Sequence, residues 1–572
     1  MTTTGQHSGN RWRKELQTSC TFSQKSIGAF LLVFLVMVAA ATASAQTFSV
    51  LYNFGSVGRD PMNPTLEGVI AEGRDGALYS TSQNGNNNPG IGPMFRITIS
   101  GVLTEPYNFD STTGQSLGGL SLGTDGNFYG TTYGGAGGSG IVFRLTPTGT
   151  LTTLHTFSGS DGSDPFAPPI QATDGSLYGT ALQGGAGSCG TVYKLTLSGT
   201  FTLLYQFDQA HGCFPSAPLV QGTDGNFYGT TYSGGTNNLG VVFKITPAEK
   251  LIVLFNFDGT NHGATPYSPL IQATDGNFYG TTLSGGKFLD GAVFRITPAG
   301  KVTLLHSMNG TTDGYSPEAG LVQATDGKFY GVAPSGGTST NCTGGCGTIF
   351  RVTPAGVFDV IYNFDSTTGN GPEVTLFQHT NGILYGDTVD GGTGGTLTGC
   401  TPGNCGVFYS LDIGAAPFVS LVSATAKVGK TVGIVGQGFT GTTGVSFDGI
   451  AASFKVASDT YLTATVPTGA KTGPVTVTTP GGTLNSGKTF RVTPQLLSFS
   501  PPSGPVGTSV VITGVSLTQT AKVTFGGVSA TSFTVNSDTQ VTATVPSGAK
   551  TGKIVITTQG GTASSATNFT VT

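Results

Sequence analysis

Asp125-Gly-Asn-Phe-Tyr-Gly130 is a six-residue stretch that recurs along the first two-thirds of the chain. Identical or closely related copies stand at Asp75–Ser80, Asp174–Gly179, Asp224–Gly229, Asp275–Gly280, Asp326–Gly331 and Asn381–Gly386, which makes seven in all. The steps between successive copies are 50, 49, 50, 51, 51 and 55 residues. A period of about 50 residues with one hairpin turn in each period is typical of a β-propeller blade.

Each period contains four candidate strands, here named a to d. An apolar segment such as Pro218-Leu-Val-Gln221 precedes the Asp-Gly turn, and a second strand follows it. After a Gly-Gly loop comes a third strand, such as Val293-Phe-Arg-Ile-Thr297, and a Pro-x-Gly-type turn leads to a fourth, such as Leu204–Phe207. Short alternating segments separated by Gly-rich turns predict an antiparallel four-stranded unit.

The two ends of the repeat region complement each other. The region opens on a lone d strand, Phe48–Phe54, and its seventh period has a, b and c strands but no d strand. The last c strand, Val407–Leu411, would expose an unpaired edge. We therefore predict that Phe48–Phe54 pairs with it and closes a seven-bladed β-propeller over residues 46–412.

The composition favours all-β structure. The 572 residues include 92 Gly, and only 9% are charged. Few strong helix formers and many turn residues favour strands joined by tight turns. The formal net charge is −4, so we expect no nucleic-acid partner.

Residues 1–45 have the pattern of a secretory signal peptide. Arg11, Arg13 and Lys14 precede the apolar run Ile27–Ala41, and Ala43-Ser44-Ala45 offers a small-residue cleavage site. The alternative is an uncleaved membrane anchor. We expect cleavage, no membrane span afterwards, and export to the periplasm, the cell surface or the medium.

Six cysteines follow the predicted signal peptide, and an even number in an exported chain suggests disulfides. They are Cys189, Cys213, Cys342, Cys346, Cys400 and Cys405. Cys189 stands just before a c strand and Cys213 just after the next d strand. Antiparallel neighbours bring those two points together, so we predict this pair. Cys342–Cys346 and Cys400–Cys405 would each close a small loop.

The repeat resembles a known family. Asp-Gly-x-Phe-Tyr-Gly together with Val293-Phe-Arg-Ile-Thr-Pro298 resembles the GloVer tandem repeat of exported bacterial proteins. The resemblance implies export and repetition, and it implies no activity.

The chain beyond residue 415 follows a different pattern. Val445-Ser-Phe-Asp-Gly449 matches Val523-Thr-Phe-Gly-Gly527, 78 residues further on. Short Val- and Thr-rich strands predict two β-sandwiches, over residues 415–492 and 493–572. Phe499-Ser-Pro-Pro-Ser-Gly-Pro-Val-Gly507 resembles the start of an IPT/TIG immunoglobulin-like domain. Cations are few, so we expect a stalk or adhesion module without DNA contacts.

The repeated acids and the histidines are weak candidates for a site. The seven turn positions could form a ring of carboxylates, but an Asp-Gly hairpin turn explains them better. His155 and His306 take a d-strand position that is elsewhere Tyr, and His211 and His262 have no partner at metal-ligand spacing. Asp161-Gly-Ser-Asp164 lacks the oxygen series of a Ca²⁺ loop. We therefore assign no metal and no cofactor.

Variation is concentrated in the b–c and d–a connections, which share one face of an up-and-down blade. The d–a loops carry four aromatic residues: Phe166, Phe214, Tyr267 and Tyr315. Variable loops on a rigid scaffold often bind ligands, and rings suit a sugar or a peptide. The alternative is that each ring packs beneath its own loop.

We therefore expect an exported, non-catalytic binding or cell-surface protein whose loop face binds a glycan or other surface polymer. The alternative is an extracellular polysaccharide-active hydrolase or lyase on the same face. Its acid and base would be drawn from carboxylates that break the repeat: Glu67, Glu72, Glu318 and Glu373. We assign no catalytic residue and expect a monomer.

Overall fold

A computed structural model describes residues 46–57, 60–64, 69–85, 91–115, 118–135, 137–395 and 404–572. Across these ranges the regular structure consists of strands alone. The predicted signal peptide, Glu67 and Cys400 lie outside them. Within the described residues there is no helix long and apolar enough to cross a bilayer.

The repeat region forms seven antiparallel sheets, numbered in chain order. In that order the strands are β1 (Thr47–Asn53); β2 (Met62–Pro64), β3 (Ala71–Glu72), β4 (Leu78–Asn84), β5 (Pro93–Ile97) and β6 (Leu103–Asn108) of sheet 1; β7 (Ser121–Leu122), β8 (Phe128–Thr132), β9 (Ile141–Leu145) and β10 (Leu151–Thr156) of sheet 2; β11 (Ile170–Gln171), β12 (Leu177–Ala181), β13 (Thr191–Leu195) and β14 (Phe201–Gln206) of sheet 3; β15 (Val220–Gln221), β16 (Phe227–Thr231), β17 (Val241–Ile245) and β18 (Leu251–Asn256) of sheet 4; β19 (Ile271–Gln272), β20 (Phe278–Thr282), β21 (Ala292–Ile296) and β22 (Val302–Ser307) of sheet 5; β23 (Val322–Gln323), β24 (Phe329–Ala333), β25 (Thr348–Val352) and β26 (Phe358–Asn363) of sheet 6; and β27 (Phe377–Gln378), β28 (Leu384–Thr388) and β29 (Val407–Asp412) of sheet 7.

The Asp-Gly turn binds its own hairpin. In sheet 2, Asp125 accepts the N–H of Asn127 on Oδ1 at 3.1 Å and the hydroxyl of Tyr129 on Oδ2 at 2.9 Å. Gly126 takes a φ of 87°, which favours glycine. Five other copies make the same Tyr-to-Asp bond, at 2.8–3.0 Å. The repeated acids are therefore structural groups of their own turns.

The Phe-Tyr pair within each hexapeptide packs neighbouring sheets together. The ring of Tyr178 stacks on Phe227 of the next sheet at 4.0 Å between centroids. Tyr228–Phe278 and Tyr279–Phe329 repeat that distance one and two sheets later. These rings are almost completely buried, so the repeat spacing reproduces the same apolar contact from sheet to sheet.

A glutamine at the end of each of five a strands joins adjacent sheets. Gln272, for example, accepts the N–H of Thr223 at 2.8 Å and donates to the Gly276 carbonyl of its own turn at 3.1 Å. The other four make the same pair of bonds: Gln171, Gln221, Gln323 and Gln378. These bonds link sheets 2 to 7 in sequence.

Sheets 7 and 1 are also in contact. β1 pairs antiparallel with β29, so the start of the region supplies the fourth strand of sheet 7. Val69 forms parallel bridges to Gly119 of sheet 2 and to Thr375 of sheet 7. We call the contact between two neighbouring sheets a seam. In the five seams that join sheets 2 to 7 the a strand ends in Gln, whereas in the seam between sheets 7 and 1 it ends in Glu72, which accepts the backbone N–H and the hydroxyl of Thr380.

The remaining chain folds into two β-sandwiches, each with its own apolar core. The strands of the first are β30 (Ser420–Leu421), β31 (Thr425–Ala426), β32 (Thr431–Val435), β33 (Gly444–Phe447), β34 (Ile450–Ala451), β35 (Phe454–Ser458), β36 (Tyr461–Thr465), β37 (Val475–Thr479), β38 (Gly482–Asn485) and β39 (Arg491–Val492). Those of the second are β40 (Gln495–Ser500), β41 (Ser503–Gly504), β42 (Ser509–Val515), β43 (Thr520–Phe525), β44 (Val528–Ser529), β45 (Phe533–Ser537), β46 (Gln540–Thr544), β47 (Gly552–Thr558) and β48 (Gly561–Val571).

The first sandwich packs against the ends of the sheets that carry the Asp-Gly turns, here called the turn end. Thr460 donates its hydroxyl to the Arg74 carbonyl of sheet 1 at 2.7 Å. The Arg74 guanidinium lies 4.4 Å from the ring centroid of Tyr461. Arg491 donates to the Thr223 carbonyl of sheet 4 at 2.6 Å. The sandwich therefore covers part of the turn end and leaves the opposite end, with the b–c and d–a connections, uncovered by these contacts. That opposite end is called the loop end below.

Candidate functional site

Each d–a connection that leads into sheet 1 or sheets 3–7 contains a residue followed by proline. The residue before proline has a positive φ in every case: Asn63 50°, Asp164 54°, Phe214 63°, Thr265 52°, Ser316 55° and Gly371 69°. Its N–H donates to the b–c loop of the preceding sheet, as Thr265 does to the Leu239 carbonyl at 2.8 Å. The unusual backbone angle is thus held by a hydrogen bond, and it sets the position of the residue that follows proline.

The residues that follow proline in sheets 3 to 7, here called the post-proline residues, are Phe166, Ser216, Tyr267, Glu318 and Glu373. In sheets 3 to 6 the residue after each accepts a hydrogen bond from the preceding sheet: Thr131, for instance, donates to the Ala167 carbonyl at 3.2 Å and Thr281 to the Ala319 carbonyl at 3.1 Å. The five side chains therefore start from equivalent places on successive sheets. Three of them are aromatic or small, and two are acidic.

Aromatic side chains converge over sheet 4. The rings of Phe166 and Tyr267 lie 6.3 Å apart although 101 residues separate them, and Ser216 stands at the position between them. Tyr232, at the end of the b strand of sheet 4, approaches Tyr267 edge-on at 5.7 Å. All three rings are half-buried. They form a partly exposed aromatic surface at the loop end, here called the aromatic cluster.

Two of the four predicted aromatic contact residues lie elsewhere. Phe214 precedes proline rather than following it, and it packs against the core that contains Cys189 and Cys213. The ring of Tyr315 lies against Gly310 and Gly336 of its own sheet, with its hydroxyl next to Gly344. The expected ligand contact therefore falls to Phe166 and Tyr267. Tyr232 joins them; it was not among the predicted residues, although it follows the repeated Gly-Thr-Thr.

Acidic side chains gather beside the aromatic cluster, on sheets 6 and 7. Burial raises the pKa of Glu318. Burial, together with the negative charges of Glu318, Asp390 and Asp387, raises the pKa of Glu373 to about 8. At neutral pH most Glu373 carboxyls therefore keep their proton. Of the two other acids that broke the repeat, Glu72 lies at the turn end, and Glu67 is outside the described residues.

Asp387 is the least expected member of this acidic group. It occupies the b-strand position that is Thr131, Thr180, Thr230 and Thr281 in sheets 2 to 5, where each hydroxyl donates to the next sheet. The side chain is only 1% exposed, and within the described structure neither carboxyl oxygen has a hydrogen-bond partner. Burial raises its pKa well above the usual value. Replacement of a repeated Thr by Asp was the sequence signal that could have found it.

Disulfides hold the loop end. Cys189 is bonded to Cys213, and Cys342 to Cys346. Cys405 is disulfide-bonded as well, and its predicted partner, Cys400, lies outside the described residues. The first bond fixes the d–a loop between sheets 3 and 4, next to the aromatic cluster.

The loop histidines and Asp161 are used locally. His211 and His262 each bond an Asp three or four residues earlier, Asp208 and Asp258. Asp161 accepts from His155 at 2.9 Å and from the backbone of Ser158. In the part of the chain that the structure describes, no three His, Cys, Asp or Glu side chains are clustered so that they could hold a metal ion.

A cavity of about 240 Å³ lies at the turn end, between sheets 1, 2 and 7 and the first sandwich. Its described lining is largely apolar, including Val69, Leu120, Phe377 and Leu421, with Glu72 as its one charged group. Because Glu72 already accepts two hydrogen bonds from Thr380, this cavity offers no unsatisfied carboxylate to a ligand.

The chain belongs to the Gloeobacter/Verrucomicrobia repeat family. That family matches residues 37–168 and 123–344, which together are more than half of the chain. The IPT/TIG domain family matches residues 417–492 and 494–571, so the predicted family of the two sandwiches is confirmed. No curated protein matches the chain in sequence.

Several solved structures resemble parts of the fold. A fungal alcohol oxidase of the AA5 family, in complex with copper, is 15% identical, with a TM-score of 0.41 over 79% of this chain and 100% of that one. A putative glucose dehydrogenase from a Thermus species is 15% identical, with a TM-score of 0.32 over 64% of this chain and 99% of that one. The surface glycan-binding protein PbSGBP-B from Prevotella bryantii is 20% identical, with a TM-score of 0.21 over 27% of this chain and 41% of that one. At these TM-scores, the likenesses establish neither a shared fold nor a shared function.

Proposed function

We propose that the seven sheets are the blades of a β-propeller, residues 46–412, closed by β1. The pairing of β1 with β29 and the bridges of Val69 to sheets 2 and 7 support this arrangement. Loss of residues 1–45 as a signal peptide, and export, agree with the disulfides, which persist in oxidising compartments. The two sandwiches, residues 415–492 and 493–572, follow the propeller in the exported chain.

We infer that the protein is a non-catalytic binding protein whose loop end holds an extracellular glycan. The aromatic cluster of Phe166, Tyr267 and Tyr232 carries this inference, because three half-buried rings from different sheets meet there. Rings offer contact area to the apolar faces of sugars at a low cost in side-chain entropy. The first sandwich covers part of the turn end, which favours the loop end as the ligand surface.

A glycan-array screen tests this function. The purified protein is compared with a Phe166→Ala/Tyr267→Ala double variant and with Tyr315→Ala as a matched control, since that ring packs on its own loop. We expect the double variant to lose at least about tenfold in affinity, whereas the control keeps its affinity. Equal binding by all three proteins would remove the aromatic cluster as the binding surface.

A second candidate is a polysaccharide-active hydrolase or lyase at the same end. It is favoured by one observation: Glu318 and Glu373 occupy equivalent positions on adjacent sheets, and Glu373 has a pKa of about 8. A carboxyl that keeps its proton at neutral pH can serve as a general acid beside a second carboxylate. Release of reducing ends or unsaturated sugars, abolished by Glu373→Gln, would establish the enzyme. If the protein degrades none of the polysaccharides that it binds, the non-catalytic binding function stands.

A further inference from the structure

The acidic group on sheets 6 and 7 lacks a counter-charge. Among the described residues, no ion pair involves Glu318, Glu373 or Asp387. The charges that act on Glu373 are all negative: Glu318, Asp390 and Asp387. Among the described residues the charge of Asp390 is partly relieved by an amide, since Asn63 donates to it at 3.2 Å. Buried acids without a cation are costly to keep.

Buried polar oxygens in this group remain unbonded within the described structure. They are both oxygens of Asp387, one carboxyl oxygen of Glu373 and the hydroxyl of Tyr409. Asp387 lies on β28 of sheet 7, and its negative charge acts on Glu373. The two carboxyls therefore lie near each other. An almost fully buried, unpartnered carboxyl beside Glu373 is an independent indication that a hydrogen-bond donor belongs there.

Residues of the aromatic cluster and of the acidic group occupy equivalent positions on successive sheets. The post-proline residues follow the order Phe166, Ser216, Tyr267, Glu318, Glu373 over five successive sheets. Tyr267 and Glu318 are neighbours in that order. A ligand lying on the rings would therefore extend one end toward the carboxyls.

We propose that the glycan bound at the loop end carries a primary ammonium group: the ligand class is an amino sugar polymer. This proposal rests on the proposed glycan-binding function and names the chemistry of the ligand. The rings of Phe166 and Tyr267 pack against the sugar face, and the ring quadrupoles favour a nearby cation. The ammonium donates charge-assisted hydrogen bonds to Glu373 and Glu318, which supply the acceptors that such a group requires.

Binding is coupled to proton release. Glu373, with its pKa raised to about 8, is largely protonated near pH 6, and an adjacent ammonium stabilises the carboxylate. The proton leaves Glu373 for the solvent as the ion pair forms. The charges of Glu318, Asp390 and Asp387 act on Glu373. The four carboxyls therefore titrate together, and the number of protons released on binding is a property of all four.

Titration calorimetry of the purified protein at about pH 6, in two buffers of different ionisation enthalpy, tests the proposal. The probes are a β-1,4-linked glucosamine hexamer, its fully N-acetylated counterpart and hexalysine. We expect the glucosamine hexamer to bind at least about tenfold more tightly than the acetylated one, with proton release. Glu373→Gln removes both the preference and the proton release. Glu249→Gln, an exposed carboxylate in a c–d turn at the turn end, leaves both unchanged.

Other outcomes separate this proposal from the function on which it rests. Equal binding of both hexamers, unaffected by Glu373→Gln but lost in Phe166→Ala/Tyr267→Ala, would keep the glycan-binding function and overturn the ammonium. If neither hexamer binds but the protein binds another neutral glycan on the array, the glycan-binding function again stands and the ammonium is overturned. Tight binding of hexalysine alone would overturn the sugar in favour of a cationic peptide. Binding of none of these ligands and of no array glycan would remove both proposals.

Discussion

The Glu72 carboxyl accepts hydrogen bonds from the hydroxyl of Thr380 at 2.5 Å and from its backbone N–H at 3.2 Å, across 308 positions of sequence. Five other seams use a Gln that also donates to its own turn carbonyl. A carboxylate has no such donor, and here His379 replaces it: Nδ1 accepts from Asn381, so the protonated Nε2 donates to the Gly76 carbonyl at 3.1 Å. Glu72 and His379 together thus reproduce one glutamine.

This relationship predicts a compensating pair of substitutions. His379→Ala alone leaves the Gly76 carbonyl without its donor and should lower the free energy of unfolding by about 1–3 kcal/mol. Adding Glu72→Gln restores the amide donor used in the other seams and should return stability to within about 1 kcal/mol of the unmodified protein. Urea unfolding of both single variants and the double variant measures the coupling. If the stability changes of the two single variants simply add in the double variant, then Glu72 and His379 do not act together in place of one glutamine.

Asp387→Thr is expected to stabilise the protein at neutral pH. The change replaces a buried, unpartnered carboxyl by the residue that donates to the next sheet in sheets 2 to 5. Removing an unsatisfied buried acid is worth about 1–3 kcal/mol. Thermal unfolding gives the measurement, and Thr281→Asp in sheet 5 is the matched reverse change, expected to destabilise. An unchanged or lower melting temperature in Asp387→Thr would show that the carboxyl has a stabilising partner.

Stability should fall as the pH rises from about 4.5 to about 8. The pKa of Glu373 is raised from 4.5 to about 8, so the folded state binds this proton more tightly than the unfolded chain does. The stabilising effect of this proton is complete at low pH and is lost as the pH rises through the pKa that Glu373 has in the folded state. Urea midpoints at the two ends of this range should differ less in Glu373→Gln, and Glu249→Gln should leave the difference unchanged. A steeper dependence in Glu373→Gln would contradict the raised pKa.

The two fully described disulfides should contribute unequally. Cys189 and Cys213 are 24 positions apart, and Cys342 and Cys346 only 4. Loop-closure entropy assigns about 3 kcal/mol to the longer link and about 2 kcal/mol to the shorter. Replacing each pair by serines, followed by denaturant unfolding, measures both. A larger loss from the short loop would rule out loop entropy as the main cause.

Closure of the proposed propeller depends on β1. Phe48 stacks on Tyr362 of sheet 6 at 3.9 Å and lies 5.2 Å from Tyr409 of sheet 7. Phe48→Ala should therefore cost about 2–3 kcal/mol, and removal of residues 46–55 should cost considerably more, because sheet 7 also loses its β1 pairing. Differential scanning calorimetry of each protein provides the test. Unchanged melting after the deletion would show that the ring does not need this strand.

The sequence by itself determined the repeated part of this protein. One hexapeptide sets the turn through Asp125 and Gly126, the hairpin bond through Tyr129, and the inter-sheet contact through Phe128, so its recurrence predicts seven similar units. Local hydrogen bonds and a constant spacing suffice for this, because every copy makes the same contacts. The missing d strand of the last unit likewise predicted a partner for the first strand, and β1 lies against β29.

The tertiary structure alone decided which repeat-breaking residues meet. Phe166 and Tyr267 approach each other because the small Ser216 lies between them and each follows a proline held in the same geometry. Phe214 and Tyr315 stand two and three positions before the post-proline residues of their sheets and pack against their own loops. Glu318 and Glu373 come together from two d–a connections and Asp387 from β28, whereas Glu72 lies at the opposite end. A one-residue offset changes the direction of a side chain, and the distance between carboxyls depends on how separate sheets pack. Local sequence pattern encodes neither directly.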